Sequence, residues 1–180
     1  MALSATMYVF EIELADSDRN VYASFELRAA RHPSETAEYL LARVLAYCLE
    51  YTEGIAFSKG LSDPDEPAIT VRDLTGALRA WIEVGAPEPA RLHRASKAAP
   101  RVAVYAHRNA GQLAGRYAAE RIHRSESLEL YAFDSTWLAT VAARLARRMK
   151  LSLTVAAGPL SLMIGDDNSS AAVERITLPG

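Results

Sequence analysis

Two β-prone runs, Ile69–Arg72 and Leu78–Val84, bracket the turn signal Asp73-Leu74-Thr75-Gly76, and no other feature constrains the chain as tightly. Branched and aromatic residues on either side of a turn-forming aspartate and glycine specify a β-hairpin. The second run ends in Trp81-Ile82-Glu83-Val84, which sets one carboxylate among large apolar neighbours. An unpaired carboxylate is costly to bury, so Glu83 is predicted either to hold a partner or to do chemistry.

Strands and helices alternate around this hairpin. Residues 6–14 and 21–27 are rich in β-formers and are separated by Asp16-Ser17-Asp18-Arg19-Asn20, which predicts an opening hairpin. Pro33-Ser34-Glu35 begins a helix over 33–51, with Gly54 as its stop. Ala37, Leu41, Val44, Leu45 and Cys48 form the apolar stripe of that helix. Glu38 lies roughly 60° from the stripe's centre at about 100° per residue, so it is the helix carboxylate expected to look toward the sheet, with Arg43 or a backbone group as its alternative partner.

A polar loop over 59–67 precedes the hairpin. After it come a short helix over 90–99 carrying Arg91, His93, Arg94 and Lys97, an apolar strand over 101–106, a helix over 110–122 and a strand over 128–133. Asp134-Ser135 opens a helix over 136–148 whose basic end suits the negative terminus of the helix dipole. Residues 151–155 and 160–164 form a closing hairpin around Gly158-Pro159, and a final strand covers 173–178. Strands at both ends and a β-α-β-α-β-α succession between them predict an α/β fold. Its expected form is a single domain over 1–180, with a mixed β-sheet flanked by helices and antiparallel hairpin additions.

Composition excludes several classes. Half of the 180 residues are hydrophobic and 23% are charged, which suits a packed core and not a disordered chain. No apolar run approaches the roughly 20 residues of a membrane-spanning helix. The start of the chain lacks a basic segment and soon meets Glu11 and Glu13, so it reads as a strand and not as a signal peptide. The single cysteine, Cys48, allows no intrachain disulfide framework, and a reducing cytoplasm is the expected location. A net charge of −2 argues against a generic basic nucleic-acid coat. It leaves room for a local basic patch at Arg121, His123 and Arg124 or at the cations after Ala143.

Familiar catalytic motifs are missing: no phosphate-cradling glycine loop, no CxxC pair, no HExxH, and four histidines without metal-ligand spacing. What remains is a set of acids, Glu38, Asp65, Glu66, Asp73 and Glu83, around the helix and the hairpin. A hard cation such as Mg²⁺ is held by a few carboxylates, and it can activate water and stabilise a phosphate being displaced. Lys97 is the nearby lysine that could balance charge or steer the water. The competing reading makes Glu83 a structural pair with Lys97 or Arg94.

These residues resemble the YaeQ family over nearly the full length. The marks are Met1-Ala2-Leu3-Ser4-Ala5-Thr6, Arg31-His32-Pro33-Ser34-Glu35-Thr36, Leu45-Ala46-Tyr47, Gly60-Leu61-Ser62, Asp65-Glu66-Pro67, Asp73-Leu74-Thr75-Gly76, Trp81-Ile82-Glu83-Val84-Gly85, Ala95-Ser96-Lys97-Ala98 and Val102-Ala103-Val104-Tyr105. The family is similar in fold to the PD-(D/E)XK nucleases, which implies Mg²⁺-dependent hydrolysis of phosphodiesters in nucleic acid. Carried onto this chain, the resemblance makes Glu83 the second acid of the motif, Glu38 the helical glutamate and Pro67 the proline. Ala68 stands where the first acid is expected and Gly85 where the lysine is expected. Asp65 would then be a third metal ligand, and Lys97 a displaced lysine. The alternative is a catalytically silent nuclease-like fold that binds nucleic acid or a protein partner.

Overall fold

The computed structural model describes residues 4–58 and 65–180. The marks at Met1-Ala2-Leu3 and Gly60-Leu61-Ser62, and most of the predicted polar loop, lie outside the described residues. In chain order the elements are β1 (Thr6–Asp16), β2 (Val21–Arg31), α1 (Ala37–Leu49), β3 (Ile55–Phe57), β4 (Ile69–Arg72), β5 (Leu78–Val84), α2 (Pro89–Ala98), β6 (Arg101–Ala106), α3 (Ala110–Ala119), β7 (Glu129–Phe133), α4 (Ser135–Ala142), β8 (Arg148–Val155), β9 (Leu160–Ile164), β10 (Asp167–Ala171) and β11 (Val173–Ile176). The α/β class is as expected, but the strands divide between two mixed sheets instead of one, in the orders β10-β9-β8-β1-β2 and β11-β7-β6-β5-β4-β3. The reason is a long-range pairing that local pattern does not encode. β1 lies parallel to β8, with Val9 opposite Arg148 and Asp16 opposite Val155, which ties the opening hairpin to the closing strands.

The chain forms two compact units, Met1–Leu49 with Asp134–Val173, and Glu50–Phe133 with Glu174–Gly180. In the first, Phe10, Ile12, Leu14, Leu27, Leu151, Leu153 and Leu162 are buried on the five-stranded sheet. The helix predicted over 33–51 begins later. The Thr36 hydroxyl accepts the Tyr39 N–H at 3.1 Å as an N-cap, and Glu35 N–H bonds to His32 O in the turn before it. The helix predicted over 136–148 ends at Ala142, because Arg148 onward is drawn into the sheet beside β1. Its basic residues therefore do not line a helix terminus; Arg144 pairs with Asp167 at 3.0 Å and Lys150 with Glu13 at 3.0 Å on the surface.

In the second unit β5, β6 and β7 run parallel, with Trp81 opposite Val102, Glu83 opposite Val104, and Ala103 opposite Glu129. Alternation sends Trp81, Val102, Val104 and Leu130 into a core with Leu92, Ala95, Leu113 and Tyr117 of α2 and α3. The β4–β5 hairpin matches its predicted bounds. β3 was not expected from the sequence, because three residues are too few to show a period.

Candidate functional site

Glu83 sits on the same side of β5 as Trp81, facing the start of α2. Gly85, at φ +99°, and the prolines at 87 and 89 turn the chain sharply, so the first helical turn returns over the end of the strand. This places Arg91, and not Arg94 or Lys97, beside the carboxylate, because the later two residues lie further along the helix. Arg91 Nε donates to Glu83 Oε1 at 2.6 Å, and Trp81 Nε1 donates to the same oxygen at 2.7 Å. The guanidinium also lies over the Trp81 ring, 5.8 Å from its centroid, and donates to the Glu66 carbonyl.

The Glu83 side chain is 7% exposed. Burial pushes its carboxyl above the ordinary value of 4.5, and the bonds from Trp81 and Arg91 only partly offset that. A carboxyl raised in this way holds its proton longer folded than unfolded, so this site lowers stability as pH climbs from about 4.5 through its folded value. Removing the cation sharpens the effect. Arg91→Met is expected to cost about 2 kcal/mol at pH 8 and clearly less at pH 5, read from urea unfolding at the two pH values.

The other predicted site residues are placed as follows. Lys97 is exposed on α2, Asp65 is exposed ahead of β4, and Ala68 is half-buried. Glu38 is half-buried in the first turn of α1 and belongs to the other compact unit. The acid that Arg43 takes is Glu35, at 2.9 Å, with both side chains buried. Both side-chain hydrogen bonds described above fall on one oxygen of Glu83, Oε1. Among the described residues no three His, Cys, Asp or Glu side chains gather to hold a metal ion.

A second ionic cluster escaped the sequence reading. On the face of the six-stranded sheet opposite α2, Arg101 Nη1 and Nη2 donate to the two oxygens of Glu50 at 2.6 and 2.9 Å, while Nε and Nη2 donate to Glu129 at 2.6 and 3.1 Å. Tyr105 donates to Glu50 at 2.6 Å and Tyr131 to Glu129 at 2.5 Å. Burial pushes the Tyr105 hydroxyl well up, with Glu50 adding to it. Burial also pushes Glu129 up, but Arg101, Tyr131 and Arg175 outweigh it and leave the carboxyl below its usual range. Four N–H groups of one guanidinium meet two carboxylates, so the cluster closes on itself as a clamp. The available signal was the period of two linking Arg101 with Tyr105 and Glu129 with Tyr131, within runs that read as uniformly apolar strands.

The cations that the sequence placed on two separate segments meet in space. His123 N–H bonds to His93 Nδ1 at 3.1 Å, and Arg124 donates to the carbonyls of Ser96 and Ala99 at the end of α2, the latter at 3.0 Å. Arg94, Lys97 and Arg121 are exposed around this junction, with the acids Glu120 and Glu126 at the margins of the 121–124 segment. The cavity under the junction holds about 10 Å³, the size of one water, so recognition here belongs to the surface and not to a pocket.

No helix among the described residues is long and apolar enough to cross a membrane. A family profile described as YaeQ protein matches residues 1–174. The uncharacterized protein YaeQ of Escherichia coli (strain K12) is 33% identical over 174 residues, covering 96% of this chain and 95% of the relative. The YaeQ of Salmonella typhi is 33% identical over 169 residues, covering 93% of each. The crystal structure of YaeQ protein from Pseudomonas syringae superposes with a TM-score of 0.87 at 31% identity over 96% of both chains. That from Xanthomonas axonopodis pv. citri gives 0.87 at 28% identity, over 98% of this chain and all of the other. A match of this breadth in sequence, with folds that superpose from end to end, makes the chain a member of the YaeQ family.

Proposed function

We propose that this YaeQ-family protein is a catalytically silent, nuclease-like fold that binds the phosphate backbone of nucleic acid without cutting it. The observation that carries the reading is the convergence of Arg94, Lys97, Arg121 and Arg124 at the end of α2, joined there by His93 and His123. Exposed cations gathered on one surface of an otherwise slightly acidic chain are the electrostatic footprint of a polyanion partner. Silence is supported by Glu83, whose carboxylate is engaged by Arg91 and Trp81, and by Ala68 and Gly85 at the positions where the motif calls for an acid and a lysine.

Fluorescence anisotropy with labelled single- and double-stranded DNA and RNA tests the binding. Affinity is expected to fall linearly with the logarithm of salt concentration, as for phosphate contacts. Lys97→Ala and Arg121→Ala should each weaken binding across sequences and reduce the salt slope by about 1. Incubation with Mg²⁺ or Mn²⁺ should leave the strands intact. Cleavage that disappears in Glu83→Gln would overturn the silent reading and restore the metal site of Glu83, Glu38, Asp65 and Lys97. Absence of any salt-sensitive binding would overturn the nucleic-acid reading in favour of a protein partner.

A further inference from the structure

Leu74, at the tip of the β4–β5 hairpin, is 91% exposed, more than any other large hydrophobic residue among the described ones. Its turn is not loose. Asp73 Oδ1 accepts from Thr75 N–H at 2.9 Å, Thr75 Oγ1 at 2.6 Å and Ala77 N–H at 3.0 Å. Two backbone bonds, Asp73 N–H to Ala77 O and Gly76 N–H to Asp73 O, close the loop, and Arg72 Nη1 reaches the Gly76 carbonyl at 3.1 Å. The one acid at the tip is thus consumed by its own turn, and the leucine is presented by a braced hairpin instead of folding back onto the sheet.

Topology says what this tip stands beside. β5, β6 and β7 are parallel, so the segments that enter them share one end of the sheet. Those segments are the 73–77 turn, the C-terminal end of α2, and residues 120–128. Leu74 therefore projects at the end of the second unit that also carries Lys97, Arg121, His123 and Arg124. Arg72 and Arg79 are exposed on the hairpin itself, one on each strand, where the pairing register shifts between Val71 and Arg72.

We propose that Leu74 is an apolar wedge that enters a base step of duplex DNA, with Arg72 and Arg79 beside it in the minor groove and the α2 and 121–124 cations on the flanking phosphates. This inference rests on the nucleic-acid reading above and names its substrate as a duplex that is bent on binding. Apolar side chains braced between arginines unstack a base step and kink the helix, and the wider contact with the backbone offsets the loss of stacking.

The test uses the full chain and a short DNA duplex labelled at both ends, with affinity read by anisotropy and bending by energy transfer between the ends. The wild type is expected to shorten the end-to-end distance. Leu74→Ser should abolish the shortening and weaken binding about tenfold while leaving the salt slope unchanged. Leu74→Phe should restore the bend, and Lys97→Ala should lower the salt slope while retaining it. Binding without a bend, or a bend that survives in Leu74→Ser, overturns the wedge but leaves the backbone-binding reading intact. In that case the exposed leucine belongs to a protein contact. Failure of the wild type to bind any nucleic acid overturns both.

Discussion

Arg101→Leu is expected to destabilise the protein by about 3 kcal/mol at pH 7, placing it among the most damaging single changes in the chain. The Arg101 side chain is 36% exposed, which sets the expectation at the lower end of the range for breaking a buried pair. What makes the loss large is the number of groups left behind. Glu50 is buried and Glu129 half-buried, and each takes two N–H bonds from the same side chain. With leucine in place, the two carboxylates lose four N–H bonds and keep the hydroxyls of Tyr105 and Tyr131.

The pH dependence separates this account from a simple packing loss. In the native protein Glu129 is held below its usual range, so its contribution is present above the ordinary value of 4.5 and fades as pH falls through the lower folded value. In Arg101→Leu the Glu129 carboxyl is expected to move upward, since burial is then opposed by Tyr131 and Arg175 without the guanidinium that donated to it. The variant should therefore regain stability relative to wild type as pH is lowered from 7 to 5. Urea unfolding at both values checks this. A loss under 1 kcal/mol, or a loss that does not shrink in acid, would show that the cluster is not a coupled ionic unit.

Gly54→Ala is expected to be at least as costly, about 3 kcal/mol or more, for a reason unrelated to charge. Gly54 has φ +87°, and a Cβ built there falls 1.9 Å from the Arg72 carbonyl oxygen and 3.0 Å from its carbon. Both neighbours are backbone, so relief requires the strand to move. The same two residues are joined by the Arg72 N–H to Gly54 O bond at 3.0 Å, which seats β3 on β4, so the displacement propagates into the sheet edge. Gly76→Ala is the control. Its φ of +84° is nearly the same, but nothing lies within 4 Å of its Cβ, and about 1 kcal/mol is expected. Thermal unfolding of the two variants side by side should show the gap. Equal losses would mean that the left-handed conformation alone, and not the close approach, sets the demand for glycine at residue 54.

Much of this molecule was legible residue by residue. The β4–β5 hairpin and β6 have their predicted bounds, since each is a short β-prone run punctuated by turn chemistry. Glu83 was singled out because a carboxylate between Ile82 and Val84 has no cheap resting place, and it proves to be buried and paired. Its partner was not legible. Arg91, Arg94 and Lys97 are equivalent as charges along a sequence, and only the turn through Gly85 and the prolines selects the first of them. The Arg101 clamp was hidden for a related reason: Glu50, Arg101 and Glu129 are far apart in the chain, and nothing local couples them. α4 was overextended because its basic residues suit a helix end as well as they suit a strand, and pairing with β1 decided the matter.

What the sequence by itself determined is local: which stretches extend, which coil, where they turn, and which polar residue is too expensive to leave alone in the core. These follow from backbone sterics and side-chain transfer energies that depend on near neighbours. What only the tertiary structure decided is the division of the described strands into two sheets, the choice of Arg91 for Glu83, and the meeting of the α2 cations with those of 121–124. Those depend on contacts between residues distant in the chain. Their energies exist only once the loops between them have closed, and no local pattern records which closure wins.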